Sequence, residues 1–419
     1  MRQKVFFKTF GCRTNLFDTQ VMRENLKNFD YAQNEESADI VVINSCTVTN
    51  GADSGVRSYA NRLRTIGKKV YFTGCGVKTQ GKNLFQKDIV FGVFGHAQKE
   101  KIDYFLTQNE KFFYDDDLNA MHLDETIVSE FVGKSRAFIK IQEGCDFACS
   151  YCIIPSVRGK ARSMNEAKIL EQVRVLRDTG VSEIVLTGTN VGSYGTDRGS
   201  NIVALIKAIA RIDGIKRIRI GSLEPSQIGE DFLELLDSDF LEKHLHIALQ
   251  YTEDSMLEKM NRHNRFEKDC KLLERIAQKG FALGTDFILG HPGEDEEVWQ
   301  RAFENAKTLP LTHLHPFIYS IRSNTPSALM KPVVNHNVAK ERLHLLNAWV
   351  KSKNLDFRRN LKEQDKPLRI LVESGENGVY SGLDEYFNKI RIRARVPLAS
   401  KWLETKDYQV LDEVNSVEI

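Results

Sequence analysis

The amino-acid sequence predicts an α/β protein in three parts: a parallel α/β domain over residues 1–112, a partial (β/α)6 barrel over 131–361, and a small antiparallel β-barrel over 362–419. Three patterns carry this reading. Short apolar runs alternate with helical stretches through residues 1–112, which argues for a parallel sheet. A regular βα rhythm resumes near residue 136. Period-two alternation broken by Gly, Asn and Pro takes over after residue 361.

In the N-terminal part the apolar runs are "KVFFKTF", "DIVVINS", "KKVYFTG" and "DIVFGVFG". Helix-like "LFDTQVMRENLKNF" and a second helix near 52–66 separate the first three. Cysteines fall at the ends of these runs, as Gly11-Cys12, Ser45-Cys46 and Gly74-Cys75. Loops beyond the carboxyl ends of parallel strands share one edge of the sheet, where ligands bind. The three thiols are therefore expected to converge. The acidic, irregular "DDDLNAMHLDET" (115–126) reads as a linker.

The barrel strands are expected at 136–142, 183–188, 216–221, 245–250, 283–290 and 313–320, with helices such as "NEAKILEQVRVLRDTG" between them. Chemistry in such barrels sits on loops at the strands' C-terminal ends. "GCDFACSYC" follows the first strand directly and places Cys145, Cys149 and Cys152 within eight positions. Residues 339–361 read as a basic amphipathic helix with Leu343, Leu346, Val350, Phe357 and Leu361 inward. In "KIRIRARV", Lys389, Arg391, Arg393 and Arg395 share one face of a strand; Ile390, Ile392, Ala394 and Val396 share the other. The basic face is either a solvated strand surface or a phosphate-binding stripe.

Composition bounds the function. Hydrophobic residues make up 41% and charged residues 28%, as in an ordinary globular chain. A net charge of +2 neither requires nor excludes a nucleic-acid partner. The longest apolar runs are too short for a bilayer, and the N-terminus lacks a secretory h-region, so a cytoplasmic protein without membrane partners is expected. Seven cysteines is an odd number without an export signal, which makes metal or redox chemistry a better reading than disulfides. Structural zinc wants four protein ligands. A four-iron cluster held by three thiolates leaves one iron open to a substrate or cofactor. Cys270, in "FEKDCKLLERI", reads as a small core thiol.

CxxxCxxC with an aromatic before its last cysteine, on the loop after the first barrel strand, resembles the radical S-adenosylmethionine enzymes. The segments "GCRTN", "NSCTVT", "TGC", "KIQEGCDFACSYCIIPSVRGKARS", "EIVLTGTNV", "RIRIGSLEP", "HLHIALQ", "KMNRH", "GHPGE" and "FIYSIRSNTPSALM" follow in order. Together they make essentially the whole chain resemble the methylthiotransferases, which insert sulfur and a methyl group into an unreactive C–H bond. The resemblance implies two [4Fe-4S] clusters. One is held by Cys145, Cys149 and Cys152 and binds S-adenosylmethionine; the other is held by Cys12, Cys46 and Cys75. Both open irons are expected to face one cavity between the N-terminal domain and the barrel mouth.

Further cofactor contacts implied by the resemblance are Gly188, Thr189 and Asn190 in "TGTN", Ser222, Glu224, Gln250, Arg262, and Gly290 and Pro292 in "GHPG". Simple turn chemistry is the other reading of Gly290 and Gly293, and a solvated helix-end charge that of Arg262. The chain departs from the family pattern at "LQYTED", at His291 and at Met164, which puts Gln250, His291 and the Arg158–Arg162 loop in doubt.

"CTVTN" and the basic Arg13 of "GCRTN" resemble the branch that adds a methylthio group to carbon 2 of threonylcarbamoyl-adenosine beside the tRNA anticodon. The C-terminal barrel resembles the TRAM module that grips tRNA, so the expected partners are a tRNA anticodon stem-loop and a reduced donor such as flavodoxin or ferredoxin. The other branches act on isopentenyl-adenosine or a ribosomal-protein aspartate. An iron–sulfur electron-transfer protein and a zinc-stabilised RNA-binding module are the non-enzyme alternatives.

Overall fold

The computed structural model describes residues 2–118, 122–131 and 135–419. Its N-terminal sheet holds β1 (Lys4–Thr9), β2 (Asp30–Tyr31), β3 (Ile40–Ser45), β4 (Lys69–Gly74), β5 (Gly92–Phe94) and β6 (Phe112–Tyr114). They are ordered β2-β1-β3-β4-β5-β6, and every pair is parallel. The short edge strands β2 and β6 add to the runs that the sequence marks. Helices α1 (Arg13–Glu24), α2 (Asn50–Thr65), α3 (Lys82–Gln86) and α4 (Ile102–Leu106) cover the sheet. Successive side chains of a strand point to opposite faces. Val41 and Ile43 accordingly pack with Val56, Ala60 and Leu63 of α2, while Ile40 and Val42 pack with Met22 of α1 and Phe105 of α4. All six residues of β3 are buried, as befits a strand covered on both sides.

The central strands are β7 (Ala137–Lys140), the short hairpin pair β8 (Gln142–Glu143) and β9 (Arg162–Ser163), then β10 (Glu183–Thr187), β11 (Arg217–Ile220), β12 (His244–His246), β13 (Ala282–Leu289) and β14 (His313–Ile318). Two parallel three-stranded sheets, β7-β10-β11 and β12-β13-β14, meet through the bridges Ile218 to Leu241 and Leu223 to Ile247. The result is a six-stranded partial barrel. Helices α5 (Ile154–Arg158), α6 (Glu166–Asp178), α7 (Ile202–Ala210), α8 (Glu230–Leu235), α9 (Asp254–Lys259), α10 (Phe266–Gln278) and α11 (Glu296–Thr308) connect its strands.

Phe17 and Val21 of α1 join the barrel's own apolar cluster beside Ala137 and Ile139 of β7, so the N-terminal sheet docks directly on the barrel. Val128 and Phe131 join the same cluster. Residues 119–121 of the stretch read as a linker lie outside the described residues, but on either side of them Asp116 and Asp124 are buried. Asp124 lies 2.6 Å from Lys99 and 2.5 Å from Lys140, and these ion pairs are why an acidic segment packs inward.

Helix α12 (His336–Glu363) serves two cores, with Leu346 and Val350 in the barrel cluster and Leu361 in the C-terminal one. The C-terminal sheet comprises β15 (Leu368–Glu376), β16 (Val379–Leu383), β17 (Lys389–Arg393), β18 (Trp402–Thr405), β19 (Gln409–Val410) and β20 (Asn415–Glu418), ordered β18-β15-β16-β17-β20-β19. It curls around Leu368, Ile370, Ile392, Tyr408 and Val417. One pair differs from the antiparallel expectation: β20 doubles back on β19 and therefore runs parallel to β17. Val396 is exposed rather than inward, because β17 ends at Arg393. No helix among the described residues is long and apolar enough to cross a membrane.

Candidate metal centres and the cavity between them

β1, β3 and β4 are neighbours, and Cys12, Cys46 and Cys75 follow their carboxyl ends. Adjacent strands lie about 4.8 Å apart, so three successive strand ends span roughly 10 Å. Gly11 lets the first loop close on the second. Its φ is +97°, and a Cβ there would lie 2.5 Å from Cys46 Cβ and 2.8 Å from Cys46 Sγ. Asn15 Nδ2 pins the same loops, donating to the carbonyls of Phe10 (2.8 Å) and Ser45 (2.9 Å). Cys46 and Cys75 are buried and Cys12 is exposed.

The second trio sits on the loop between β8 and α5. The Cys145 amide donates to the Gly159 carbonyl (3.1 Å), and the Cys152 amide to that of Cys149 (3.1 Å). Ser150 anchors the turn, donating from its hydroxyl to the Lys259 carbonyl (2.8 Å) and from its amide to that of Met260 (2.9 Å). Asn190 Nδ2 lies 3.6 Å from Cys145 Sγ, and Arg262 Nη1 lies 3.7 Å from Cys149 Sγ. Arg262 is buried and ion-paired to Glu224 at 2.5 Å, so it is no solvated helix-end charge.

A cavity of about 300 Å³ opens between residues that follow Cys46 and the turn around Cys152. Val48 and Thr49, just past Cys46, form one wall; Tyr151, Cys152, Ile153 and Ile154 form the other, with Gln250, Asp286 and Ile288 beneath. Cys75 packs against Ile153 and Val157 across the same boundary. The remaining expected contacts divide. Thr189 Oγ1 donates to the Gly144 carbonyl at 2.5 Å, and Gly188 lies against Gln142, so "TGTN" braces the cysteine loop. Ser222 is exposed. Gly290 has φ of +73° and packs on Ala339 of α12, and Pro292 is buried beside residues 330–334. Neither lines the cavity: the turn that starts the "GHPG" segment needs the glycine conformation and leads the chain away from it.

The donor sets fit iron–sulfur groups. All six cysteines are free thiols, three to a set, with soft sulfur donors only. Burial pushes Cys75 up to about 11 and Cys152 up to about 12, and also raises Cys46 and Cys145. Thiols so raised stay protonated until a metal takes the proton's place. Asn190 Oδ1, beside Cys145, is buried without a hydrogen-bond partner among the described residues, so an acceptor there stands free for an N–H donor.

Comparison with known proteins decides the family. Residues 139–306 match the Radical SAM superfamily, and residues 4–95 match the uncharacterized protein family UPF0004. The threonylcarbamoyladenosine tRNA methylthiotransferase MtaB of Aquifex aeolicus (strain VF5) is 33% identical over 384 residues, spanning 88% of this chain and 92% of its own. The chain belongs to the radical SAM methylthiotransferases. A Helicobacter pylori protein named no further than as a methylthiotransferase is 60% identical over 99% of both chains. A tRNA-2-methylthio-N(6)-dimethylallyladenosine synthase of Lachnoclostridium phytofermentans is 31% identical over 87% of this chain and 84% of its own. Among solved structures, the radical S-adenosylmethionine methyltransferase TsrM of Kitasatospora setae shares the fold. Its TM-score is 0.59 at 14% identity, over 78% of this chain and 75% of that one. As a radical SAM methylthiotransferase, the protein uses two [4Fe-4S] clusters and S-adenosylmethionine.

Sequence reasoning missed what locks the methylthiotransferase's two halves together. Arg158, from the loop whose role was in doubt, crosses the boundary fully buried. It donates to Cys75 Sγ (3.1 Å), Asn15 Oδ1 (2.6 Å), Asp18 Oδ2 (3.0 Å) and Glu143. Lys140 of β7 pairs with Asp18 at 2.7 Å, and Lys99 with Asp124 at 2.6 Å. Asp18, Asp124 and Glu143 thus balance Lys99, Lys140 and Arg158. The strong fields of these cations hold the Asp18 and Glu143 carboxyls well below the usual range despite burial. At the cavity rim Arg322 clamps Asp53, and the Asn50 amide donates to Ser320 Oγ at 2.8 Å. No single-segment motif announces such contacts, because each partner lies on a different part of the chain.

Proposed function

We propose that this chain adds a methylthio group to carbon 2 of threonylcarbamoyl-adenosine beside the anticodon of tRNA. The observation that carries the reading is the cavity walled on one side by the loop after Cys46 and on the other by the loop around Cys152. In this reading Cys145, Cys149 and Cys152 hold the cluster that binds S-adenosylmethionine, and Cys12, Cys46 and Cys75 hold the auxiliary one. Those groups would supply an adenosyl radical and a sulfur to be methylated. Asn190, Glu224 and Arg262 set the polarity beside the first trio, and the cavity's apolar walls suit a nucleoside face.

Arg13 supports the substrate branch. It follows Cys12, is half-buried, and lies over the rings of Phe138 (5.8 Å) and Phe387 (5.9 Å). It does not line the 300 Å³ cavity; it faces the barrel interior, where Glu242 and Arg219 are its charged neighbours. A guanidinium there suits a substituent that ends in a carboxylate. The name of the Aquifex aeolicus relative supports the same substrate. Lys389, Arg391 and Arg393 are exposed on one face of the C-terminal sheet and Arg395 is exposed just past its end, which supports a tRNA anticodon stem-loop as the partner. A reduced flavodoxin or ferredoxin completes the scheme as electron donor.

The isopentenyl-adenosine reading has one observation of its own, the apolar lining by Val48, Ile154 and Phe317. Nucleoside mass spectrometry of tRNA from cells with and without this gene separates the two. Loss of the methylthio group from threonylcarbamoyl-adenosine alone is expected; loss from the isopentenyl nucleoside would overturn the choice.

A further inference from the structure

Beneath the cavity the barrel carries a polar group that neither cysteine trio uses. β12 reads His244-Leu-His246 and β14 reads His313-Leu-His315, and both flank β13. Alternate residues of a strand share a face, so all four imidazoles point to the same side of the half-barrel as Gly284 and Asp286 of β13. Asp286 is the direct cross-strand partner of His315, and Gly284 is that of both His246 and His313. Position 284 has to be side-chain-free. A Cβ there would lie 3.0 Å from His244 Nε2 and 3.0 Å from His246 Nδ1. The gap lets the His246 ring lean along the sheet to Asp286.

The four histidines fall into two pairs with different chemistry. His313 is satisfied by Thr312 Oγ1 (2.9 Å) and Asn354 Nδ2 (3.3 Å), and His244 stacks on Phe387. His244 Nε2 is buried without a hydrogen-bond partner among the described residues, and neither ring of this pair meets Asp286 as His246 and His315 do. His246 and His315 instead stack on each other, with centroids 5.2 Å apart, and share one polar partner. His246 Nε2 is 3.2 Å from Asp286 Oδ2, and His315 Nδ1 is 3.8 Å from Asp286 Oδ1. One ligand atom from each of the three residues lies within 4.8 Å of the other two. Asp286 lines the cavity, and the His315 side chain is 57% accessible, so the group is open on that side.

We propose that His246, Asp286 and His315 bind a divalent transition-metal ion, with its open coordination positions turned toward the cavity. Two imidazoles and one carboxylate on one face, with the remaining positions free, is the donor set that first-row divalent ions such as Mn²⁺, Fe²⁺ and Zn²⁺ accept. Ligand–metal distances of about 2.0–2.2 Å place neighbouring donors roughly 3 to 3.5 Å apart, so only small side-chain movements are needed to close the site. The nearby Arg13 charge, which His315 senses, opposes a cation, and Glu242 beside Arg13 offsets it. Resting on the substrate reading above, the ion would add a chelating positive charge for a nucleoside substituent that ends in a carboxylate. The metal site itself stands without that reading.

Titration with Mn²⁺ tests this on the full chain with both clusters oxidised, following loss of the aqueous Mn²⁺ EPR signal. The wild type should bind one ion per chain that Zn²⁺ displaces, since Zn²⁺ outranks Mn²⁺ at nitrogen and oxygen donors. His315→Ala removes an accessible ligand with little effect on folding and should weaken binding at least about tenfold. Asp286→Asn should do the same, with iron content unchanged as the check on folding. Equal Mn²⁺ binding in wild type and both variants overturns the proposal, and so does no binding at millimolar Mn²⁺. Loss of RNA affinity in the variants without any metal effect would overturn it too, assigning the trio to direct contact with the nucleoside. A wrong substrate branch would show only in the tRNA nucleosides and would leave Mn²⁺ binding intact.

Discussion

Replacing Arg158 by Met tests whether buried charge holds the two half-sites in register. The side chain is 1% exposed and pairs with Asp18 and Glu143, so its loss leaves Asp18, Asp124 and Glu143 facing the buried Lys99 and Lys140, with the partly exposed Arg162 at 3.8 Å from Glu143. Breaking a buried ion pair by removing one partner costs about 3–5 kcal/mol, most of it from the stranded opposite charge. Asn15 Oδ1 and Cys75 Sγ lose a donor as well. Because the broken contacts span the boundary, the cost should fall on separation of the N-terminal sheet from the barrel. At about 1.4 kcal/mol per tenfold, opening becomes roughly a hundred- to a few-thousand-fold more populated. Hydrogen exchange of α1 and of residues 122–131, followed by mass spectrometry, reads this directly. Adding Glu143→Gln to Arg158→Met leaves two buried carboxylates, Asp18 and Asp124, against two buried lysines and should recover much of the loss. Exchange within threefold of wild type in Arg158→Met, or no recovery in the double variant, would refute the reasoning.

Other expectations follow from single residues. Gly11→Ala forces a Cβ onto Cys46 at a φ of +97°; it should lower bound iron in anaerobic preparations while reductive cleavage of S-adenosylmethionine persists. Arg13→Ala should weaken binding of a threonylcarbamoyl-modified anticodon stem-loop more than of the unmodified one, as measured by anaerobic gel shift. Unchanged affinity removes the charge argument. Arg391→Ala should reduce the salt dependence of RNA binding by about one ion, and a slope equal to wild type would remove the stripe from the interface. Burial lowers His291 to about 4 and His313 to about 3, so the folded state binds fewer protons than the unfolded chain below pH ~6.5. Their contribution is complete above that pH and is lost as pH falls toward the folded values. The thermal midpoint should therefore drop between pH 7 and 5, and His291→Phe should flatten part of that slope.

The strands and the cysteines were legible because each is local. β3 and β4 announce themselves as apolar runs, and a cysteine at the end of a parallel strand has only one edge of the sheet to occupy. The curled C-terminal sheet was legible for the same reason, apart from the parallel β17–β20 pair, whose direction depends on a turn far from β17. Arg262 was ambiguous because its sequence neighbours say nothing of Glu224, 38 positions away, which keeps it charged and buried. The acidic run at 115–126 misled because composition alone treats acids as solvated. Asp124 is paid for by Lys99 and Lys140, and neither is near it in sequence.

The same distribution explains why the boundary is polar where a core is usually apolar. An apolar seam tolerates sliding, since its contacts have little direction. Arg158 bonded at once to Asn15, Asp18, Glu143 and Cys75 admits a single arrangement. With Arg322 clamping Asp53 at the opposite rim, the loop after Cys46 is fixed at both ends relative to the Cys152 turn. Two metal centres built on different sheets can act on one small molecule only if the distance between them does not wander, and here buried charge pairs along the boundary hold it.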